Sequence, residues 1–287
     1  MALVCSESAG RGGNVALKDA AVRAGIIPPD TAEQSEKKAY SERLSHELAI
    51  EVADSLRALD FRSIKPERSV IAKGKHKGKV KIVKEKEFQG GLGPKRVDVS
   101  YADERHGLLL AVTIKTLNFP SYPRIPGSDP PQFDFSKGGQ FSKNIKNRFG
   151  DLTTESITLH LRFPFAVVAC LYAMPERSDA DRRGQMRSST FERAAKLYGT
   201  ISGRTAYGDP AERFEDVTLM LFRPMTEADP NCWVKLFEAG AKRQIPEADY
   251  FLRLRELYNQ RNPHAMVGEF EDGELDYEEA PPEGDEP

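Results

Sequence analysis

The amino-acid sequence predicts a mixed α/β fold, because helical and strand-like patterns follow one another along most of the chain. The clearest helix covers residues 35–59, where Leu44, Leu48 and Val52 recur every four residues and form one apolar stripe. The clearest strand covers residues 108–116, an almost wholly apolar run that is typical of a strand buried on both faces. The predicted order is a helix, three strands, a helix and a strand, followed by a C-terminal α/β extension.

The remaining elements are predicted from shorter patterns of alternation and helical spacing. Short strands are predicted at residues 69–72, 79–88, 97–101, 165–172 and 217–222. Further helices are predicted at residues 17–24, 151–162, 189–201, 229–241 and 247–259. Asp151 is interpreted as the N-cap of the second of these helices. The Pro- and Gly-rich residues 118–139 are predicted to form a long loop, and long loops in compact domains are usually functional or disordered.

The length of 287 residues allows one large domain or a core with an appendage. We interpret residues 1–34 as a loose N-terminal arm and residues 35–175 as the core. Residues 176–268 are expected to form an α/β extension packed on that core, and residues 269–287 a disordered acidic tail. No apolar run is long enough to span a bilayer, and the N-terminus does not resemble a signal peptide. Together with three widely separated cysteines, this predicts a cytoplasmic protein without disulfides.

The net charge of −2 conceals two opposed charge segments. Residues 269–287 carry ten acidic side chains and no Lys or Arg, which leaves the rest of the chain at +8. Residues 62–96 alone carry twelve Lys or Arg against three Glu. A basic body with an acidic tail indicates a polyanionic partner, although a solvated surface with a disordered end would have the same composition.

The segment from Lys95 to Thr116 contains the best candidate for chemistry. Asp98 lies in a half-buried strand and is predicted to face away from the apolar Val97, Val99 and Tyr101. On the next strand the period of two places Leu108, Leu110, Val112 and Ile114 on one face, with Thr113 and Lys115 together on the other.

Pairing of these two strands would bring Asp98 beside Thr113 and Lys115. A carboxylate there can bind Mg²⁺, and a lysine can hold a phosphate and orient or help to deprotonate the attacking water. A polar residue in a half-buried strand and a lysine that reaches solvent at a strand end would also explain these residues.

This arrangement resembles the PD-(D/E)XK superfamily of nucleases, which includes restriction endonucleases and bacterial defence effectors. The resemblance implies a restriction-endonuclease-like αβββαβ core within residues 35–175, with a mixed central sheet flanked by helices. It assigns Asp98 as a metal ligand and Lys115 as the final lysine of the motif. The middle carboxylate of the motif would fall on Thr113, which is a departure from the pattern.

The resemblance also implies that a glutamate of the first helix joins the site. Glu47 and Glu51 are the candidates, with Glu42 behind them. The backbone carbonyl of Ile114 would be a further ligand, and Thr113 would bind water or support the ligands. Mg²⁺ is the expected metal, and Mn²⁺ is an alternative because it generally binds such ligands more strongly. Glu155 either favours the dipole of its helix or reaches this site.

Basic residues outside the motif are predicted to contact phosphates in a sequence-independent way. They lie on a lysine-rich hairpin and at the start of the helix near Asp151, and they comprise Lys73, Lys75, Lys77, Lys79, Lys81, Lys143, Lys146 and Arg148. An exposed edge with lysines that deter strand pairing is the alternative interpretation of the hairpin.

The leading functional hypothesis is a Mg²⁺-dependent DNA endonuclease of restriction or phage-defence type that acts on double-stranded DNA. The alternative is a catalytically inactive, nuclease-like subunit that binds nucleic acid within a larger defence or repair complex. A third hypothesis is a protein-interaction adaptor whose acidic tail binds a partner. A homodimer, a partner subunit and a choice of DNA or RNA all stay open, while a membrane association is not expected.

Overall fold

A computed structural model describes residues 16–70, 80–83, 87–129, 132–137, 139–141, 145–182 and 188–268. Its centre is a six-stranded sheet of mixed direction, so the predicted mixed α/β class is confirmed. The strands of this sheet are β5 (Val99–Asp103), β6 (Gly107–Thr116), β7 (Val167–Pro175), β8 (Asp216–Arg223), β9 (Trp233–Glu238) and β10 (Gln244–Ile245). Their spatial order is β10-β9-β8-β7-β6-β5, with β6, β7 and β8 parallel and the other neighbours antiparallel.

Two small hairpins precede this sheet in the chain. Their strands are β1 (Glu67–Val70) with β2 (Val80–Val83), and β3 (Glu87–Gln89) with β4 (Pro94–Arg96). The second hairpin packs tightly on a helix, because a Cβ at Gly90 would lie only 2.5 Å from the Cγ2 of Thr158. The Gly91 amide also donates to the Thr158 carbonyl at 2.8 Å. These glycines let the hairpin approach the helix closely, which fixes where β4 and Lys95 lie.

Helices cover both faces of the sheet. They are α1 (Ala16–Arg23), α2 (Gln34–Arg57), α3 (Ile145–His160), α4 (Thr190–Gly199) and α5 (Glu247–Arg261). One apolar cluster contains residues of α1, α2 and α5, and the other contains residues of α3 and α4. The predicted stripe of α2 is correct, since Leu44, Leu48 and Val52 are fully buried. In the described part of the chain, no helix combines the length and the apolar character needed to span a membrane.

The N-terminal segment of the predicted division needs a correction. The second half of the expected loose arm is packed, because Leu17, Ala20 and Ala24 are buried against the core. The strands β8, β9 and β10, which belong to the expected extension, continue the same sheet beyond β7. The acidic tail at 269–287 lies outside the described residues.

Two predicted helices differ from those observed. Residues 229–241 were expected to form a helix, but β9 occupies this segment because Leu236 and its neighbours pair along the edge of β8. The helix expected to begin at Asp151 begins at Ile145 instead. Asp151 therefore lies inside α3, where it forms an ion pair with Arg148 at 3.4 Å rather than capping the helix.

The strict alternation predicted for the site strands also breaks in two places. Val97 packs in the cluster beneath α3, whereas Val99 packs in the cluster beneath α2, because β5 begins only at Val99. A bulge between β5 and β6 likewise puts Leu108 on the α3 side, while Leu110 lies on the α2 side. The alternation is regular from Leu110 onwards, so the prediction holds where Thr113 and Lys115 lie.

Candidate active site

Glu155 is the centre of a cluster of charged and polar side chains between α3 and the sheet. Its carboxylate accepts hydrogen bonds from Thr113 Oγ1 and from Lys115 Nζ, the latter at 2.9 Å. Lys95 Nζ lies 2.8 Å from Glu155 Oε2, the oxygen that Lys115 also contacts. Only 2% of the Glu155 side chain is exposed, so these three donors replace the water that a buried carboxylate loses.

The predicted helix at residues 151–162 would place Glu155 near its start. Glu155 is in fact the eleventh residue of α3, well inside the helix, and Leu152, Ser156 and Leu159 of the same helix are also buried. The side chains of Thr113 and Lys115 point to the same α3-facing side of β6, as the period of two predicted. A carboxylate from the facing helix therefore lies directly against Thr113.

Asp98 lies just before β5 and caps the open end of the β5–β6 pairing. The last paired residues there are Val99 and Val112, and the Asp98 Oδ2 then accepts a hydrogen bond from the Ile114 amide at 2.7 Å. The carboxylate thus takes the place of a backbone partner for β6. Asp98 also contributes, less than Glu155, to the raised pKa of Lys115. For Ile114, it is the backbone N–H that contacts the predicted acid.

The structure does not bring the first-helix candidates Glu47 and Glu51 to this cluster. Glu47 forms an ion pair with Arg23 of α1 at 2.7 Å. Glu51 contacts Arg23 and also Arg68 of β1, the latter at 2.9 Å. Arg23 engages both glutamates because α1 packs along that face of α2, an arrangement that the sequence did not reveal.

The face of α2 that does approach Asp98 carries different residues. A cavity of about 830 Å³ is lined by Asp98 together with Glu42 and His46. Glu42 is the residue that sequence reasoning ranked behind the other two glutamates. Its side chain is 68% exposed and its nearest ionic partner in the described chain is Lys38 at 3.7 Å, so it is free to move.

The electrostatics of the cluster keep its members charged. Burial would raise the pKa of Glu155, but Lys115 and Lys95 outweigh burial and hold this pKa below its usual range. Burial would lower the pKa of Lys115, but Glu155 and Asp98 hold this pKa above its usual range. Lys115 is therefore a cation at neutral pH, suited to binding a phosphate but not to removing a proton from water.

The carboxylate oxygens beside β6 are compatible as ligands with a hard divalent cation that is held mainly through water and substrate. Within the described ranges, no group of three or more His, Cys, Asp and Glu side chains gathers around a common point. Mg²⁺ is usually bound through one or two carboxylates together with waters and substrate phosphates. The carboxylates beside the end of β6 are Asp98, which accepts from the Ile114 amide, and Glu155, which accepts from Lys115. This chemistry fits Mg²⁺, and Mn²⁺ equally well.

An open cleft of about 520 Å³ gives access to the cluster. Lys95, Lys115 and Glu155 line this cleft together with Gly150 and Asp151 in the second turn of α3. A larger cavity of about 860 Å³ beside Pro224 contains none of the clustered side chains. The smaller cleft is therefore the one in which a substrate would meet Lys115.

Most of the basic residues expected to contact phosphates lie outside the part of the chain that is described. This is the case for Lys73, Lys75, Lys77, Lys79 and Lys143. Lys81 belongs to β2, where it pairs with Ser69 through the backbone. Lys146 and Arg148 are exposed in the first turn of α3, beside the cleft that contains Lys115.

No protein-family model, no curated protein and no solved structure matches this chain.

The ion pairs around Glu155 predict how the stability of the fold depends on pH. A lowered carboxyl pKa stabilises the fold above the ordinary value of 4.5, and this stabilisation is lost as the pH falls through the lowered pKa. The raised pKa of Lys115 stabilises the fold below its ordinary value of 10.5 and ceases to do so as the pH rises through the raised pKa. We expect Glu155→Gln to lower the free energy of unfolding by about 1.5–3 kcal/mol at pH 7, typical of hydrogen bonds to charged groups.

Urea unfolding of both proteins between pH 3 and pH 7 would check this expectation. The difference in unfolding free energy should be constant from pH 7 down to about 4.5 and should shrink below it. A difference that grows on acidification would contradict the assigned charge state of Glu155.

Proposed function

We propose that this chain is a metal-dependent nuclease that hydrolyses phosphodiester bonds in DNA. In this proposal Glu155 supplies the carboxylate that the nuclease motif usually carries at the position of Thr113. The contact of Glu155 with both Thr113 and Lys115 is the observation that carries this proposal. It places an acid beside Lys115, and the second acid, Asp98, binds the amide of the neighbouring Ile114 in the same strand. A nuclease site of this kind needs that combination of oxygen ligands and a phosphate-binding cation.

The order of elements around the site supports a restriction-endonuclease-like core. The series α2, β5, β6, α3 and β7 contains an antiparallel strand pair followed by a parallel crossover through a helix. The strand expected before β5 is reduced to a single antiparallel bridge between Lys65 and Ser100. In this proposal the two hairpins before β5 are additions to the core.

Each residue of the cluster has a role in the proposed reaction. Asp98 and Glu155 would hold the metal ion, which supplies charge stabilisation and a more acidic water when bound. Lys115 binds a non-bridging oxygen of the scissile phosphate and offsets the charge that develops on it. Thr113 fixes the orientation of Glu155. A water oxygen attacks phosphorus, the bond from phosphorus to one bridging oxygen breaks, and that oxygen takes up a proton.

The proposal is tested with the purified full chain and supercoiled plasmid in Mg²⁺, in Mn²⁺ and in EDTA. We expect metal-dependent nicking or linearisation that Lys115→Ala lowers by about 10²–10³-fold, typical of a lost charge-stabilising donor. Lys196→Ala on α4, an exposed lysine outside the cluster, is the matched control and should cleave at the rate of the unmodified chain. Equal rates for Lys115→Ala and the control would refute the assignment.

One observation favours a second candidate, a nuclease-like module that binds nucleic acid without cutting it. Both oxygens of Glu155 already accept hydrogen bonds from protein donors, so a metal ion would have to displace or share them. Salt-sensitive plasmid binding in EDTA, with no cleavage in either metal, would establish this candidate and refute the nuclease.

A further inference from the structure

A second cleft, of about 440 Å³, lies at the carboxyl end of β6. Thr116, which lines it, directly follows Lys115 in the chain. Arg148 lines it too, and its partner Asp151, at 3.4 Å, lines the cleft that contains Lys115. A polymer that crosses Lys115 would therefore reach this second cleft, whose volume is typical of a small-molecule site.

Aromatic rings form the walls of this cleft. Phe133 and Phe135 are 46% and 40% exposed, although they belong to a long loop in contact with the rest of the fold. The ring of Phe135 lies 4.7 Å from that of Tyr122, tilted by 58°. Phe119 also lines the cleft and lies edge-on to Tyr40. Exposed aromatic rings gathered on one loop mark a binding surface rather than scattered surface residues.

The polar residues of the same cleft favour an anionic ligand. Its cationic side chains are Lys37, Arg124 and Arg148, and none of the described residues that line it is acidic. Arg124 forms no ion pair within the described part of the chain. Rings for stacking and cations for phosphate are what proteins use to hold single-stranded nucleic acid. A proline-rich peptide would use the rings but would gain nothing from three cations.

We propose that this second cleft holds an unstacked nucleobase of the substrate between its aromatic side chains, an inference that rests on the proposed nuclease function. A paired base within a duplex has both faces covered by its neighbours and is unable to enter. The substrate class would therefore be nucleic acid with a single-stranded or extrahelical nucleotide next to the scissile phosphate. Arg124 and Arg148 bind the phosphates on either side of that nucleotide.

The test measures binding in EDTA, where cleavage plays no part. The probes are a single-stranded oligonucleotide and the fully paired duplex of the same sequence, each with one 2-aminopurine whose fluorescence falls when it stacks. The full chain should bind the single strand more tightly and quench its 2-aminopurine. Phe135→Leu and Phe133→Leu should each weaken single-strand binding by about tenfold, since stacking on one ring contributes roughly 1–3 kcal/mol per base.

Phe165→Leu is the matched control, because Phe165 is also exposed and stacks on Tyr207 at 5.2 Å but lines neither cleft. It should bind like the unmodified chain. Arg124→Ala should lower the slope of log affinity against log salt by about 0.7, as expected for one lost phosphate contact. Unchanged affinity in both phenylalanine variants, or an equal loss in the control, would overturn the proposal. Unchanged affinity is also the result expected if the cleft binds a protein partner instead of a nucleobase.

The two proposals fail in different ways. Quenching that depends on Phe135, in a protein that cuts neither the plasmid nor the single-stranded oligonucleotide in Mg²⁺ or Mn²⁺, would support the base site and refute the nuclease. Cleavage that depends on Lys115, with no effect of Phe133 or Phe135 on binding, would support the nuclease and overturn the base site.

Discussion

Replacing Glu155 with glutamine is expected to lower DNA cleavage by about 10²–10³-fold, the usual loss when one charged group leaves an active site. The substitution keeps the size of the side chain but removes the charge that balances Lys95 and Lys115. One proposed metal-binding carboxylate is lost with it. The initial rate of plasmid nicking in Mg²⁺ and in Mn²⁺ measures the effect.

Glu47→Gln is the matched control, because Glu47 was the acid that the sequence favoured. Its carboxylate binds Arg23 at 2.7 Å and lines neither the cleft with Lys115 nor the cavity with Asp98. The control should retain the full rate of cleavage. A loss in Glu47→Gln with normal cleavage by Glu155→Gln would restore the sequence-based assignment and refute the one proposed from the structure.

Loss of folding would imitate loss of chemistry, so the same variant needs a second measurement. In EDTA, Glu155→Gln should bind plasmid more tightly than the unmodified chain, because both lysines are released to contact phosphates. The steeper salt dependence of that binding would distinguish a folded, inactive protein from an unfolded one. Weaker binding together with absent cleavage would indicate damage to the fold.

The part of the site that lies within one strand pair could be predicted from the sequence. The alternation along β6 placed Thr113 and Lys115 on one face, and the following parallel strand and helix put that face beneath α3. Glu155 was harder to predict, because its position depends on where α3 begins. Asp151 carried a plausible capping signal, yet the helix starts six residues earlier and turns Glu155 towards the sheet.

Contacts between distant elements account for the other differences. Glu47 and Glu51 of α2 are paired with arginines from α1 and β1, and no local sequence pattern indicates such partners. Residues 233–238 form a strand because the free edge of β8 supplies hydrogen-bond partners, and strand formation depends strongly on such neighbours. The sequence signals were local, whereas these outcomes are decided by tertiary packing.

A second ion cluster, around Glu215, fixes the far end of the helix that carries Glu155. Glu215 Oε2 lies 3.1 Å from the Nε2 of His160, the last residue of α3, and accepts the Val168 amide of β7 at 2.8 Å. Its other oxygen binds Arg204 at 2.7 Å and Arg261 at 3.1 Å. His160 therefore joins a structural network.

Glutamine at position 215 is expected to cost the fold about 3–5 kcal/mol, because it leaves two nearly buried arginines without their counter-charge. Burial would raise the pKa of Glu215, but its contacts with His160, the Val168 amide and Arg204 hold this pKa below its usual range, so the carboxylate is charged at neutral pH. Since whole domains are stable by only about 5–15 kcal/mol, the urea midpoint at pH 7 should fall markedly. Glu87→Gln, an exposed control whose side chain is 59% accessible, should stay within about 0.5 kcal/mol of the unmodified chain. If Glu215→Gln unfolds at the same urea concentration as this control, the cluster does not hold α3 in place, and the position of Glu155 depends on packing of the helix alone.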